Sequence, residues 1–89
     1  MMNDSSIESF GHPGRAYDFD MALERIYYVT GCHTQQELAD LMGIRQSSIS
    51  DASKRRSIPA KWLVFLVSKY GLSPDWILYG KMPMYLDEF

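Results

Sequence analysis

The chain has 89 residues, 46% hydrophobic and 22% charged, with nine Lys and Arg against eleven Asp and Glu for a formal net charge of -2. That is enough for one domain, though one this small buries only about 60 to 65% of its unfolded surface, and the mild acidic excess argues mildly against a nucleic-acid binder, for which a basic excess is the usual footprint. No run approaches the roughly 18 to 20 apolar residues of a membrane span and the N-terminus lacks a signal-peptide pattern, so a cytoplasmic protein without a membrane partner is expected.

Residues 1–17 mix Ser, Asp, Gly and Pro without periodicity and read as a flexible leader. With Arg15 against Asp4 and Glu8, it is not expected to act as a basic arm. A first helix begins near Asp18 or Asp20, both suited to a cap. Phe19, Ala22, Leu23, Ile26 and Tyr27 follow at helical spacing until Gly31 stops it. This helix reads as scaffold.

The stretch TQQELADLMGIRQSSISDASKRR, from Thr34 to Arg56, has the spacing of two short helices joined by a tight turn. Thr34 and Glu37 form a capping box, the hydroxyl accepting from the third backbone N–H and the carboxylate reaching back to the cap's own N–H. Leu38, Leu41 and Met42 make an apolar stripe, and Ala39 is small enough to let a second helix approach. Gly43 ends the helix because it adopts the left-handed cap conformation without a Cβ clash. In the second helix Ile49 and Ala52 mark the buried side. Arg45, Gln46, Ser47, Ser50, Asp51 and Lys54 lie on its other sides, able to hydrogen-bond outward.

Such a helix in the major groove reads bases from its N-terminal turns. Gln suits adenine N6 and N7, Ser several edges, and Arg or Lys guanine or phosphate. Capped hairpins with a glycine turn are common in all-α domains, so spacing alone leaves a solvated surface as the competing reading. Charge distribution answers the objection from net charge only in part: from Arg45 to Lys61 there are five basic residues (Arg45, Lys54, Arg55, Arg56, Lys61) against the single acid Asp51. A local patch can hold phosphate although long-range steering stays weak.

Pro59 fits the first turn of a fourth helix, whose stripe is Leu63, Leu66, Val67 and Tyr70, widened by Trp62 and Phe65, before Gly71 stops it. Lys61 near its start can meet phosphate together with the helix's positive end. Ser73 caps a fifth helix with Pro74 first, Asp75 complementing the dipole and Gly80 closing it. So short a helix must be held by packing. Residues 84–89 read as a tail or the start of a linker.

No catalytic constellation is present: there is no supported Ser, His and Asp set, no glycine-rich phosphate loop and no paired carboxylates. An enzyme, a cofactor and a small-molecule substrate are therefore not expected. His12 and His33 lack metal-ligand spacing. Cys32, the single cysteine, reads as a small half-buried apolar residue.

The block RSIPAKWLVFLVSKYGLSPDWILYGKMP, Arg56 to Pro83, resembles the segment that follows the helix-turn-helix in phage CI-type repressors. With DFDMALERIYYVTG and the helix-turn-helix itself the likeness covers about residues 18 to 83. Ile58-Pro59-Ala60-Lys61-Trp62 and Ser73-Pro74-Asp75-Trp76-Ile77-Leu78-Tyr79-Gly80 are its most distinctive pieces. The resemblance implies an all-α, five-helix lambda-repressor-like domain that occupies double-stranded operator DNA, within a larger transcriptional repressor. It places Gln35 where side chain and backbone grip a phosphate, Gln46 and Ser47 where bases are read, and Ser50, Asp51 and Lys54 one and two turns further on.

Two residues depart from the family pattern. Arg45 stands where many members place a Ser or Thr cap, which removes a side-chain cap worth about 1 kcal/mol and frees Arg45 to reach DNA. Asp51 would repel phosphate unless it accepts from cytosine N4 or pairs with Arg55, and the pairing is the favoured expectation. The expected base contacts are thus Arg45, Gln46, Ser47, Ser50 and Lys54, and the phosphate contacts Gln35, Arg55, Arg56 and Lys61. Resembling repressors use the fifth-helix region near a two-fold axis, so a homodimer on DNA is expected through Trp76, Ile77 and Tyr79, with Met82, Met84, Tyr85 and Leu86 as further candidates. The alternative is a protein-interaction module on the same scaffold.

Overall fold

A computed structural model describes residues 16–86. Five helices follow in order: α1 Phe19–Thr30, α2 Gln35–Met42, α3 Gln46–Arg55, α4 Ala60–Tyr70 and α5 Pro74–Tyr79. Asp18 caps α1, its carboxylate accepting from Met21 N–H at 3.1 Å. Thr34 caps α2, with Oγ1 accepting from Glu37 N–H at 3.1 Å. The return half of the expected capping box differs. Glu37 Oε1 passes the cap's own N–H and accepts from His33 N–H, one residue earlier, at 2.6 Å. Pro59 and Ser73 stand at the cap positions of α4 and α5 without side-chain cap bonds, so α4 starts one residue later than the proline suggested.

The helices pack as two pairs, α2 on α3 and α1 on α5, around Ile26, Leu38, Ile49, Leu66, Leu72 and Ile77, all fully buried. Burying a side chain of this size contributes about 1.5 to 3 kcal/mol, so one aliphatic group from nearly every segment accounts for much of the cohesion. Trp62, only 3% exposed, ties α4 to the same core. The α1–α5 pair has a polar clasp as well. Arg25, at the core edge one turn after Ala22, donates Nη1–H to the Ile77 carbonyl at 3.0 Å and so satisfies an α5 carbonyl near its C-terminal end.

Both boundaries of the folded unit extend beyond the expected 18 to 83. Tyr17 falls within the expected leader, but its hydroxyl accepts from Ile58 N–H at 2.7 Å and its ring stands edge-on to Tyr79 at 6.2 Å. Residues 1–15, the rest of that expected leader, lie outside the described residues. At the other end Leu72 and Tyr85 form an antiparallel bridge: Ser73 N–H donates to the Met84 carbonyl at 2.8 Å, and Leu86 N–H to the Gly71 carbonyl at 2.7 Å. Met84 packs against the core, so the expected tail is part of the domain through Leu86; residues 87–89 lie outside the description.

Gly43 and Gly80 end α2 and α5 with φ of +69° and +71°. An alanine Cβ at Gly43 would meet open space, whereas at Gly80 it would fall 2.6 Å from Arg25 Nη2. Gly43→Ala is expected to cost the left-handed penalty of roughly 1 to 2 kcal/mol. Gly80→Ala should cost about 1 kcal/mol more, because Arg25 must give up the Ile77 carbonyl. Urea denaturation that ranked the two equally would contradict the clasp.

Candidate nucleic-acid interface

The surface of interest is built by α2, the turn after it, α3 and the start of α4. Gly43 N–H donates to the Asp40 carbonyl at 3.3 Å and Ile44 N–H to the Ala39 carbonyl at 3.0 Å, which turns the chain within three residues. Ile44 packs half-buried on the core, and Leu38, Ala39, Ile49 and Ala52 close the α2–α3 contact with almost no exposure. Two helices seated this tightly leave the outer face of α3 as a fixed platform. As expected, Arg45 at its cap makes no side-chain cap bond.

On that platform Arg45, Gln46, Ser47, Asp51, Lys54 and Arg55 are exposed, while Ser50 and Gln35 are half-buried. Gln35 links the two helices. Its Oε1 accepts from Gln46 Nε2 at 3.2 Å and from Ser50 Oγ at 3.3 Å. One amide oxygen thereby orients two side chains of α3, and the Gln35 amide NH2 remains available as a donor to an external acceptor.

Beyond α3, Ser48, Asp51 and Arg55 share a groove with Ile44, Pro59, Lys61 and Trp62. Lys61 is the second residue of α4, beside its unsatisfied N–H groups. The expected Asp51–Arg55 pair is not formed. Among the described residues the ion pair is Arg56 with Asp20, while His33 Nδ1 lies 3.6 Å from Glu37 Oε1. Both partners of the expected i,i+4 pair are solvated, and an exposed pair gains too little to fix two side chains.

Arg56, expected on phosphate, is held elsewhere. It ends α3 in the left-handed region at φ +56°, donates Nη1–H and Nη2–H to the two Asp20 oxygens at 3.1 and 2.9 Å, and lies 5.5 Å over the Phe19 ring. The guanidinium bonds hold the Asp20 carboxyl below its ordinary range, and the carboxylate in turn raises Arg56. Its role as placed is to fasten the end of α3 to α1. Sequence reasoning passed over this pair because its members are 36 residues apart. Arg25 was missed likewise; its only signal was a charged residue on the core side of the α1 stripe.

The fifth-helix expectation divides. Ile77 is fully buried in the core of the chain and has no surface for a partner, a correction that follows from the inward turn of α5 at that position. Trp76 and Tyr79 are half-buried, Tyr79 against Tyr17. The exposed apolar groups nearby are Met82 at 75%, Tyr85 at 55% and Leu86 at 44%.

Residues 21–85 match the family described as the bacteriophage CI repressor helix-turn-helix domain. The chain belongs to this family. The all-α fold expected from the resemblance is the one observed, and the family is one of DNA-binding transcriptional repressors. Among curated proteins the chain is 30% identical over 60 residues to Protein ORFi in retron Ec67 of Escherichia coli, an alignment covering 67% of this chain and 30% of that protein. The chain thus spans under a third of the length of the curated relative it matches. No solved structure matches it significantly. No helix among the described residues is long and apolar enough to cross a membrane.

For this family member the Arg56 clasp makes a distinct stability prediction. Arg56→Gly and Arg56→Ala both remove the Asp20 pair, but only glycine accepts the left-handed backbone freely; denaturation should rank the glycine variant above the alanine variant, and the reverse order would contradict the strained terminus. Because the Asp20 pKa is lowered in the folded state, the stability it contributes is present above the ordinary carboxylate pKa and is lost as pH falls through the lowered value. Asp20→Asn should therefore be less stable than the parent near neutral pH, the gap narrowing once pH falls below the ordinary carboxylate range and the Asp20 carboxyl is protonated. A gap unchanged by acid would assign the loss to something other than this charge.

Proposed function

We propose that this chain is the sequence-specific DNA-binding domain of a phage-type transcriptional repressor and acts by occupying an operator, with α3 in the major groove. The observation that carries the reading is the Gln35 bridge, which pre-orients the exposed Gln46 and the half-buried Ser50 on α3. A side chain already fixed before binding loses less rotamer freedom on the DNA. In this reading Gln46 and Ser47 contact base edges from the first turn of α3, with Arg45 before them and Ser50 and Lys54 following. Gln35, Arg55 and Lys61 hold the phosphates on either side. Arg56 is left out of the phosphate set, because it ends α3 in the left-handed region and two of its N–H groups bond Asp20 on α1.

A single recognition helix reads only a few base pairs, and repressors of this architecture place two such helices about one DNA turn apart. A homodimer on a two-fold symmetric site is therefore part of the proposal. Its contact is assigned to the exposed Met82, Tyr85 and Leu86 together with the outer edges of Trp76 and Tyr79. The competing protein-interaction reading has one observation in its favour. Met42, Ile44, Lys61, Trp62, Val64 and Phe65 line a groove of about 420 Å³ whose Val64 is 65% exposed.

Gel shift against a duplex selected from a random library tests the reading. Gln46→Ala and Ser47→Ala are each expected to cost roughly 1 to 3 kcal/mol on the selected duplex and little on random DNA. Arg55→Ala and Lys61→Ala should weaken both alike and flatten the salt slope by about one unit each. Losses at Gln46 and Ser47 that were equal on both duplexes would remove them from base readout, and an unchanged slope would remove the cation concerned from the footprint.

The assembly has its own test. Sedimentation at high concentration should reveal a weak dimer that Tyr85→Ser or Met82→Ser abolishes, with two chains bound per palindromic duplex. Monomer at every concentration together with one chain per palindrome would contradict the assignment.

A further inference from the structure

We propose that Asp51 is a specificity-determining residue that selects cytosine in the major groove by accepting from its exocyclic N4; this rests on the operator-binding reading above. Successive helix residues are turned by about 100°, so the buried Ile49 and Ala52 fix the inner side of α3 and place Ser47, Asp51 and Lys54 on the opposite side. Asp51 is exposed, and among the described residues it has neither an ion pair nor a hydrogen bond. Its nearest cationic neighbours in sequence are Lys54 and Arg55, and Lys61 lines the same groove. These cations keep the surroundings attractive to phosphate without taking the carboxylate's acceptor sites.

An ionised carboxylate only accepts, and the major groove offers two base donors, cytosine N4 and adenine N6. Adenine sets its N7 acceptor beside N6, a pattern that suits the amide of Gln46 and repels a carboxylate. Cytosine has no second acceptor on its own groove edge. The two residues thus divide the available donors, Gln46 matching adenine and Asp51 cytosine. Guanine and thymine present O6, N7 or O4 to the carboxylate and are rejected.

The test is selection of duplexes from a random library by the full chain, by Asp51→Ala and by Asp51→Asn, with circular dichroism of each to verify the helical fold. The parent should enrich sites with a C·G pair at one position of each half-site, and replacing that pair should weaken binding roughly 5- to 150-fold. Asp51→Ala should lose the preference at that position and keep the others, and Asp51→Asn should shift it toward adenine. If Asp51→Ala tightens binding to all duplexes and leaves every preference intact, the carboxylate is only a brake on phosphate attraction and the proposal is overturned. If the parent itself enriches no sequence, the operator-binding reading fails first and the Asp51 assignment with it.

Discussion

The close seating of α2 on α3 is the constraint from which the rest of this surface follows. Ala39 presents only a methyl group at the contact, and Ile49 and Ala52 fill the space above it with essentially no exposure. A larger residue at Ala39 would push α3 away and break the reach of Gln35 to Gln46 and Ser50, bonds already at 3.2 and 3.3 Å. The turn that makes this seating possible needs Gly43 in the left-handed region, so one glycine and one alanine together set the orientation of every outward side chain on α3.

The far end of α3 is governed differently. Arg56 terminates the helix in a backbone region uncommon for a side-chain-bearing residue, and Asp20 and Phe19 on α1 hold it there. With α1 in turn clasped to α5 through Arg25 and the Ile77 carbonyl, α3 is anchored at its start by α2 and at its end by the α1–α5 pair. Removing Arg56 from the free cations leaves Arg45, Lys54, Arg55 and Lys61 against Asp51 on the candidate DNA face. That is a modest positive patch on a chain of net charge -2. Such a balance gives limited non-specific attraction, since that term grows with each phosphate neutralised, and in the proposed complex leaves discrimination to side-chain chemistry.

The five helices were legible because their ends carry local signals: Asp18 and Thr34 as caps, and Gly31, Gly43, Gly71 and Gly80 as left-handed stops. The outward set on α3 was legible too, since helical geometry ties it to the positions of Ile49 and Ala52. What escaped depends on distant residues. The Tyr17 bond to Ile58 N–H, the Arg56–Asp20 pair and the Leu72–Tyr85 bridge have no local signature. The run Trp76 to Tyr79 is apolar throughout, so its pattern could not rank Ile77 as the member turned inward. Asp51 and Arg55 have the right spacing for a pair, but spacing permits an ion pair without making it favourable in water.

The central claim is that α3, held by Gln35, is the surface that meets DNA. Amide chemical-shift mapping by NMR on addition of a selected palindromic duplex tests it most directly. The account predicts shifts concentrated at Gln35, over residues 45–55 and at Lys61, with Val64 and Phe65 unmoved. Shifts centred on Met42, Val64 and Phe65, or none at saturating duplex, would contradict it.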